Sequence, residues 1–269
     1  LSGRNLYFTQ LRSEILHSQD KSSKAKQLPE YQLAKFSNKR NGLVAGYGAN
    51  TNQGIVRNYN EDRVAIILNI MKPKSKSYET TAWPKCSFFG IYDGHGGAVC
   101  ADFLRDYLHQ FIIKDANFPS NPIQALRNGF REAERLFLEF AESQEKEAGE
   151  IDRSGSCAIV ILIIDDMCYC ANTGDARAIM SADGGEKLFL LSTDHKPTDP
   201  VEMKRIMDNG GRIYQNSQYV GGSDSATNEQ GSGKQLVYGP HRVFPGRLSV
   251  SRTIGDIEAK VPKYEGNKN

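Results

Sequence analysis

An α+β fold with mainly antiparallel sheets is what this sequence predicts, and three observations carry the prediction. Short apolar runs of strand character occupy 63–69 and 86–92. Two stretches with helical periodicity follow one another directly, at 98–114 and 122–148. A second set of short apolar runs then occupies 158–164, 167–171, 176–180 and 188–191. This order of strands, two adjacent helices and more strands lacks the strict strand–helix alternation of a parallel doubly wound sheet.

The elements read as follows. Residues 1–42 form a polar extension with eight Lys/Arg against three Asp/Glu, and a short helix is expected near 11–17. The extension reads as a solvated arm. Residues 43–48 predict a strand leading into a glycine-rich turn, and 63–69 a buried strand built on Val64, Ala65, Ile66, Ile67 and Leu68. Residues 71–85 are basic and polar with two prolines, and read as a loop. In the first helix Val99, Phe103, Tyr107 and Phe111 recur at four-residue spacing; in the second Leu126, Phe130, Ala133, Phe137 and Ala141 make one stripe. Asp165-Asp166 reads as a hairpin turn. Residues 200–209 predict a short helix stopped by Gly210-Gly211. Residues 215–240 are rich in Gly, Ser, Asn and Gln and read as a flap insertion. Residues 248–254 carry a last helix or strand signal.

Composition narrows the function classes. The 269 residues are 39% hydrophobic and 25% charged, enough for a packed core. A net charge of +2 gives no electrostatic case for nucleic acid. The longest apolar run, 158–164, is far short of the roughly 20 residues a membrane helix needs. No secretory signal opens the chain, so a cytoplasmic location is expected, with the nucleus as an alternative. Five cysteines, four in or beside apolar runs, read as reduced buried thiols. Cys168-x-Cys170 lacks the second ligand pair of a zinc site.

Four clusters carry candidate chemistry: Arg57 with Glu61 and Asp62; Asp93-Gly94-His95; Asn172-Thr173-Gly174-Asp175; and Gly255-Asp256. Each sits beside an expected strand end or glycine turn. Carboxylates hold hard cations, glycine lets backbone carbonyls approach, and histidine exchanges protons near neutral pH. Asp175 reads equally as a turn residue, and Asp194, His195 and Asp256 read as structural. His17, His109 and His241 read as ordinary surface or packing residues.

The longer strings resemble one family, the metal-dependent serine/threonine protein phosphatases of type 2C, or PPM family. Phe89-Gly90-Ile91-Tyr92-Asp93-Gly94-His95-Gly96-Gly97 is its most diagnostic motif. Arg57 with Glu61-Asp62 is similar to its first motif. Gly155-Ser156-Cys157-Ala158 resembles a third, with cysteine at the usual hydroxyl position. Ala171-Asn172-Thr173-Gly174-Asp175-Ala176-Arg177, Leu191-Ser192-Thr193-Asp194-His195-Lys196-Pro197 and Leu248-Ser249-Val250-Ser251-Arg252-Thr253-Ile254-Gly255-Asp256 complete six motifs in family order over about residues 43–262.

The resemblance implies two stacked antiparallel sheets flanked by antiparallel helix pairs, an α-β-β-α sandwich, with residues 43–269 as the catalytic domain. It implies two Mg²⁺ or Mn²⁺ ions, with a third, weaker ion near Asp175. Asp93 would bridge two ions, Glu61 and the Gly94 carbonyl would bind one of them, and Asp62 would order its waters. Arg57 would bind the substrate phosphate and His95 would protonate the leaving oxygen. The implied reaction is hydrolysis of phosphoserine and phosphothreonine in phosphoprotein substrates, by a monomer. The family normally continues past Gly255-Asp256 with an Asp-Gly and an Asp-Asn motif, which this sequence lacks. A domain incomplete at its C-terminus is therefore expected, the alternative being a catalytically impaired pseudophosphatase that acts as an interaction protein. A two-metal nuclease or small phosphoesterase is a third reading.

Overall fold

The structure, a computed structural model, describes residues 34–80, 82–148, 151–220, 235–264 and 266. The helix expected at 11–17 and the centre of the 215–240 insertion lie outside the described residues. The chain divides into two units, one of Leu1–Leu33 with Asn52–Asn60 and one of Ala34–Thr51 with Glu61–Asn269. In the first, the described segment 52–60 turns at Gly54, whose N–H donates to Asn52 Oδ1 at 2.9 Å.

The second unit holds the regular elements. In chain order they are β1 (Lys35–Ser37), β2 (Tyr47–Ala49), β3 (Arg63–Ile67), β4 (Cys86–His95), α1 (Val99–Lys114) and α2 (Pro122–Ala148). There follow β5 (Gly155–Ile164), β6 (Met167–Thr173), β7 (Ile179–Ala182), β8 (Lys187–Leu190), α3 (Pro200–Asp208), β9 (Arg212–Val220), β10 (Gln235–Phe244), β11 (Ile254–Gly255) and α4 (Ile257–Lys260). The fold is α+β with antiparallel sheets. Among the described residues β3, β4, β5, β6 and β11 form a five-stranded sheet, while β1–β2, β7–β8 and β9–β10 form two-stranded pairs.

The core lies between the five-stranded sheet and the α1–α2 pair. Phe88, Tyr92, Ala158, Val160 and Leu162 alternate along β4 and β5 toward Leu104, Leu108 and Ile112 of α1 and Ala133 and Phe137 of α2. Burying each large apolar side chain is worth roughly 1.5–3 kcal/mol. The stripe expected on α1 needs correcting. The sheet takes Cys100, Leu104, Leu108 and Ile112, all fully buried, whereas Val99 and Tyr107 are exposed. Phe103 instead packs on Phe137 of α2 with ring centroids 5.5 Å apart. Phe103 fills the cleft between the helices, and the flat sheet takes the slimmer aliphatic row beside it.

Other boundaries moved for physical reasons. The strand expected at 43–48 is confined to β2, with only a bridge between Asn41 and Val44 before it. The 71–85 loop contains a 3₁₀ turn at Lys74–Lys76. That turn buries the Lys76 ammonium, which donates to the Asp115 and Phe118 carbonyls. The ends of the 215–240 segment continue β9 and β10 as a ribbon. The 248–254 signal yields only a Val243–Leu248 bridge and the two residues of β11. Among the described residues no helix is long and apolar enough to cross a membrane.

One buried ion cluster ties α3 to the chain ahead of β11. Asp199 caps α3 by accepting from the Val201 and Glu202 amides, with Pro200 at the first turn. Glu202, 4% exposed at its side chain, accepts from Arg252 at 2.6 and 2.9 Å, Arg205 at 2.8 Å and Ser251 Oγ at 2.7 Å. Burial alone would raise its pKa. The bonds from Arg252, Arg205 and Ser251 outweigh burial and hold the carboxyl well below the usual range. A depressed carboxylate contributes stability above its unfolded value, and that contribution is lost as pH falls through the folded value. Glu202→Gln is therefore expected to destabilise the fold by about 2 kcal/mol at neutral pH, allowing for the partly exposed guanidiniums, and by less as pH falls below 4. Urea melts of both proteins at several pH values measure this.

Candidate functional site

The site is built where β4 runs out of apolar residues. Strand pairing does not stop at Tyr92, as the glycines suggest, but continues through Asp93↔Cys157, Gly94↔Ser156 and His95↔Gly155. Alternation puts Tyr92 into the core and Asp93 on the opposite face, beside Cys157. Gly94 is obligatory on steric grounds: a Cβ there would lie 2.3 Å from the Glu61 carbonyl oxygen. That close approach brings the Glu61-Asp62 turn against β4. Gly96 and Gly97, both at positive φ, then turn the chain into α1. The Gly97 N–H donates to Glu61 Oε1 at 2.7 Å. Arg63 pins the same turn from behind, with two bonds to Asp102 of α1 at 2.7 and 3.1 Å and one to the Asp62 carbonyl at 2.9 Å.

Asp175 arrives from the turn after β6. Gly174 (φ +110) lets that turn close on Cys157, where any Cβ would meet the sulfur at 2.3 Å. The two motifs around 171–177 and 191–197 knot together to hold it. His195 Nδ1 accepts from the Gly174 N–H at 3.1 Å, and Arg177 makes a two-pronged bond to Asp194 at 2.7 and 2.9 Å. The structural reading of Asp194 and His195 fits these bonds.

The electrostatics single out Asp93. Its pKa is raised, first by partial burial, then by the charges of Asp62 and Asp175, with His95 opposing; a hydrogen bond between the Asp62 and Asp93 carboxyls raises it further. His95 Nε2 lies 2.9 Å from both Asp256 oxygens. Burial works against the His95 imidazolium, but the Asp256 bond and the charges of Asp256, Asp93 and Glu61 outweigh it, so the pKa is raised. Burial pushes the Cys157 thiol up to about 12, so it is neutral at physiological pH. Asp256, 6% exposed and at φ +54, opens α4.

Of the residues expected from the sequence, Glu61, Asp62, Asp93, Gly94, His95 and Asp175 are thus brought together. Arg57 belongs to the separate 52–60 segment. Asp256 and Cys157 gain parts the sequence did not assign. The signal for Asp256 was its place in a motif with a strand-end glycine; for Cys157 it was the pairing of its strand with the Asp93 strand.

The chemistry of the donor set fits a hard divalent cation. Asp62 and Asp175 crowd Asp93 and raise its pKa, an arrangement that positive charge relieves. Among the described residues no three His, Cys, Asp or Glu side chains close round one point. Mg²⁺ and Mn²⁺ tolerate this, because they retain waters and need only one or two carboxylates.

Comparisons with known proteins point to one family. The family model of protein phosphatase 2C matches residues 45–266. A rice protein, probable protein phosphatase 2C 42, is 29% identical over 90% of this chain and 64% of its own length. Protein phosphatase 2C homolog 2 of Schizosaccharomyces pombe is 35% identical over 74% of this chain and 44% of its own. The structure of a Caenorhabditis elegans sex-determining protein has the same fold, with a TM-score of 0.53 at 20% identity, over 96% of this chain and 52% of that one. The chain therefore spans between 44% and 64% of the length of these relatives.

Proposed function

The chain belongs to the protein phosphatase 2C family, and from that membership we propose that it hydrolyses phosphoserine and phosphothreonine esters in proteins. The observation that carries the reading is the crowding of Asp93 by Asp62 and Asp175 beside the His95–Asp256 pair. An acidic cluster that disfavours its own charge is ready for a cation, and the raised pKa of the imidazole beside it favours the protonated form that a general acid needs.

Glu61, Asp93, the Gly94 carbonyl and Asp175 are the residues that would hold Mg²⁺ or Mn²⁺, in two principal positions with a third at Asp175. Bound there, the ions supply Lewis acidity that acidifies water and offsets phosphate charge. Asp62 accepts from the surrounding waters and orients them. Arg57 grips two phosphate oxygens with its planar fork, a geometry lysine lacks. His95 donates its proton to the departing serine or threonine oxygen. With Nε2 bonded to Asp256, Nδ1 is the ring nitrogen that hands it over. Asp256 keeps the ring oriented and charged, as the carboxylate of a histidine–aspartate pair does in other enzymes. None of the cysteines takes part as nucleophile. The substrates are proposed to be cytoplasmic or nuclear phosphoproteins, met by a monomer.

The test is phosphate release from a phosphothreonine peptide with Mn²⁺ and then with excess EDTA. Release that EDTA abolishes is the expected result. No release with either, from this chain shown to be folded and from the full-length gene product alike, would overturn the catalytic reading in favour of an interaction protein.

A further inference from the structure

Cys157 has no part in the chemistry above, yet it is placed against two of the acidic residues. It is 2% exposed and stands opposite Asp93 in the β4–β5 register, so the two side chains share one face of the sheet. Its S–H donates to Asp175 Oδ1 at 3.7 Å. This thiol thus tethers the Asp175 carboxylate. Gly174 is what admits the contact, since its missing side chain is the space the sulfur fills.

We propose that Cys157 is a positioning residue that fixes the Asp175 carboxylate toward Asp93 and thereby sets the cation affinity of the site. This rests on the reading of Asp175 as a cation ligand. Asp175 sits on a turn, and a turn carboxylate without a second tether samples several rotamers. A thiol donates only weakly, so the strength of the tether comes from its burial. A serine at 157 keeps a donor; alanine keeps none.

The experiment is direct Mn²⁺ binding to the full chain, by calorimetry and by the EPR signal of free Mn²⁺. Outer partners of metal ligands typically control about ten- to a hundredfold in affinity. Cys157→Ala is expected to weaken Mn²⁺ binding about tenfold, and Cys157→Ser to restore it to within about twofold of wild type. In an Asp175→Asn background, Cys157→Ala is expected to cost nothing further, because the group it positions has lost its charge. Should alanine leave a void that prevents folding, Cys157→Val removes the same bond while filling the space. A loss of equal size in both backgrounds would overturn the proposal, since Cys157 would then act independently of Asp175. Unchanged binding in Cys157→Ala or Cys157→Val would also overturn it. If wild type itself binds no Mn²⁺, the cation site falls, and the proposal with it. Melting in EDTA separates these outcomes from a general loss of stability, which would lower the melting temperature without sparing Mn²⁺ affinity in the serine variant.

Discussion

Asp93→Asn is expected to abolish Mn²⁺-dependent phosphate release and, in the same protein, to raise the stability of the cation-free chain. The two effects have one cause. Asp93 sits between Asp62 and Asp175 and is partly buried, and all three influences disfavour its charged form. A carboxyl whose folded pKa is raised binds its proton more tightly in the fold than in the unfolded chain. Its contribution to stability therefore falls as pH rises from the unfolded value of 3.8 through the raised one. At neutral pH the native chain carries that penalty, and the amide removes it. Partial exposure screens the gain, so a rise of about 1–2 °C in melting temperature in EDTA is the expected size. The loss of turnover is far larger, about a thousandfold, because the residue proposed to bind both principal cations loses its charge. A saturating Mn²⁺ series should reverse the order of stability, since only wild type gains from the ion. Equal melting temperatures in EDTA would show that the carboxylates do not repel as the geometry requires. Normal turnover in Asp93→Asn would remove the residue from the reaction altogether.

The division between what the sequence disclosed and what it hid follows from separation along the chain. Glu61-Asp62 and Asp93-Gly94-His95 are contiguous strings, and the need for glycine beside a carboxylate is written locally. The element types around them were legible for the same reason: β4 and β5 are short apolar runs, and α2 has a single clear stripe. The α1 stripe was not, because two rows at four-residue spacing lie side by side. Choosing between Phe103-Tyr107-Phe111 and Leu104-Leu108-Ile112 depends on which neighbour is flat and which is a second helix. The end of β4 was misplaced because glycine weakens a strand in isolation. Here the pairing with Cys157, Ser156 and Gly155 supplies what the residues lack. The His95–Asp256 bond spans 161 residues, and nothing local at either end announces it. The Cys157–Asp175 contact, 18 residues apart, depends on the hairpin between β5 and β6 and on the missing Cβ of Gly174. Ligand identity was therefore a local property of the text, whereas positioning was a tertiary one.

That long-range bond can be broken without touching either partner. A Cβ added at Gly155 would lie 2.0 Å from Asp256 Oδ2 and 2.3 Å from its Cγ. Backbone at Asp256 cannot yield easily, because its N–H donates to the Ser154 carbonyl at 3.0 Å and its own carbonyl accepts from Ala259 at 2.8 Å. The side chain must move instead, and the carboxylate has to leave His95. Gly155→Ala is thus expected to behave as a positional equivalent of Asp256→Asn. Burial, the largest single influence on His95, then loses its main opponent, so the imidazolium pKa falls. The sign carries through to stability: a raised histidine stabilises the fold fully below the unfolded value of 6.5 and loses that contribution as pH rises through the folded value. Both variants should therefore lose stability most below pH 6.5, and least at alkaline pH. NMR titration of His95 in EDTA reads the shift directly. Turnover should drop about ten- to a hundredfold, with the alkaline limb of its pH profile moved to lower pH. The double variant should be no worse than the poorer single, because both changes remove one interaction. Additive losses in the double variant, or an unmoved His95 titration in Gly155→Ala, would mean that Asp256 stabilises α4 and does not govern the proton of His95.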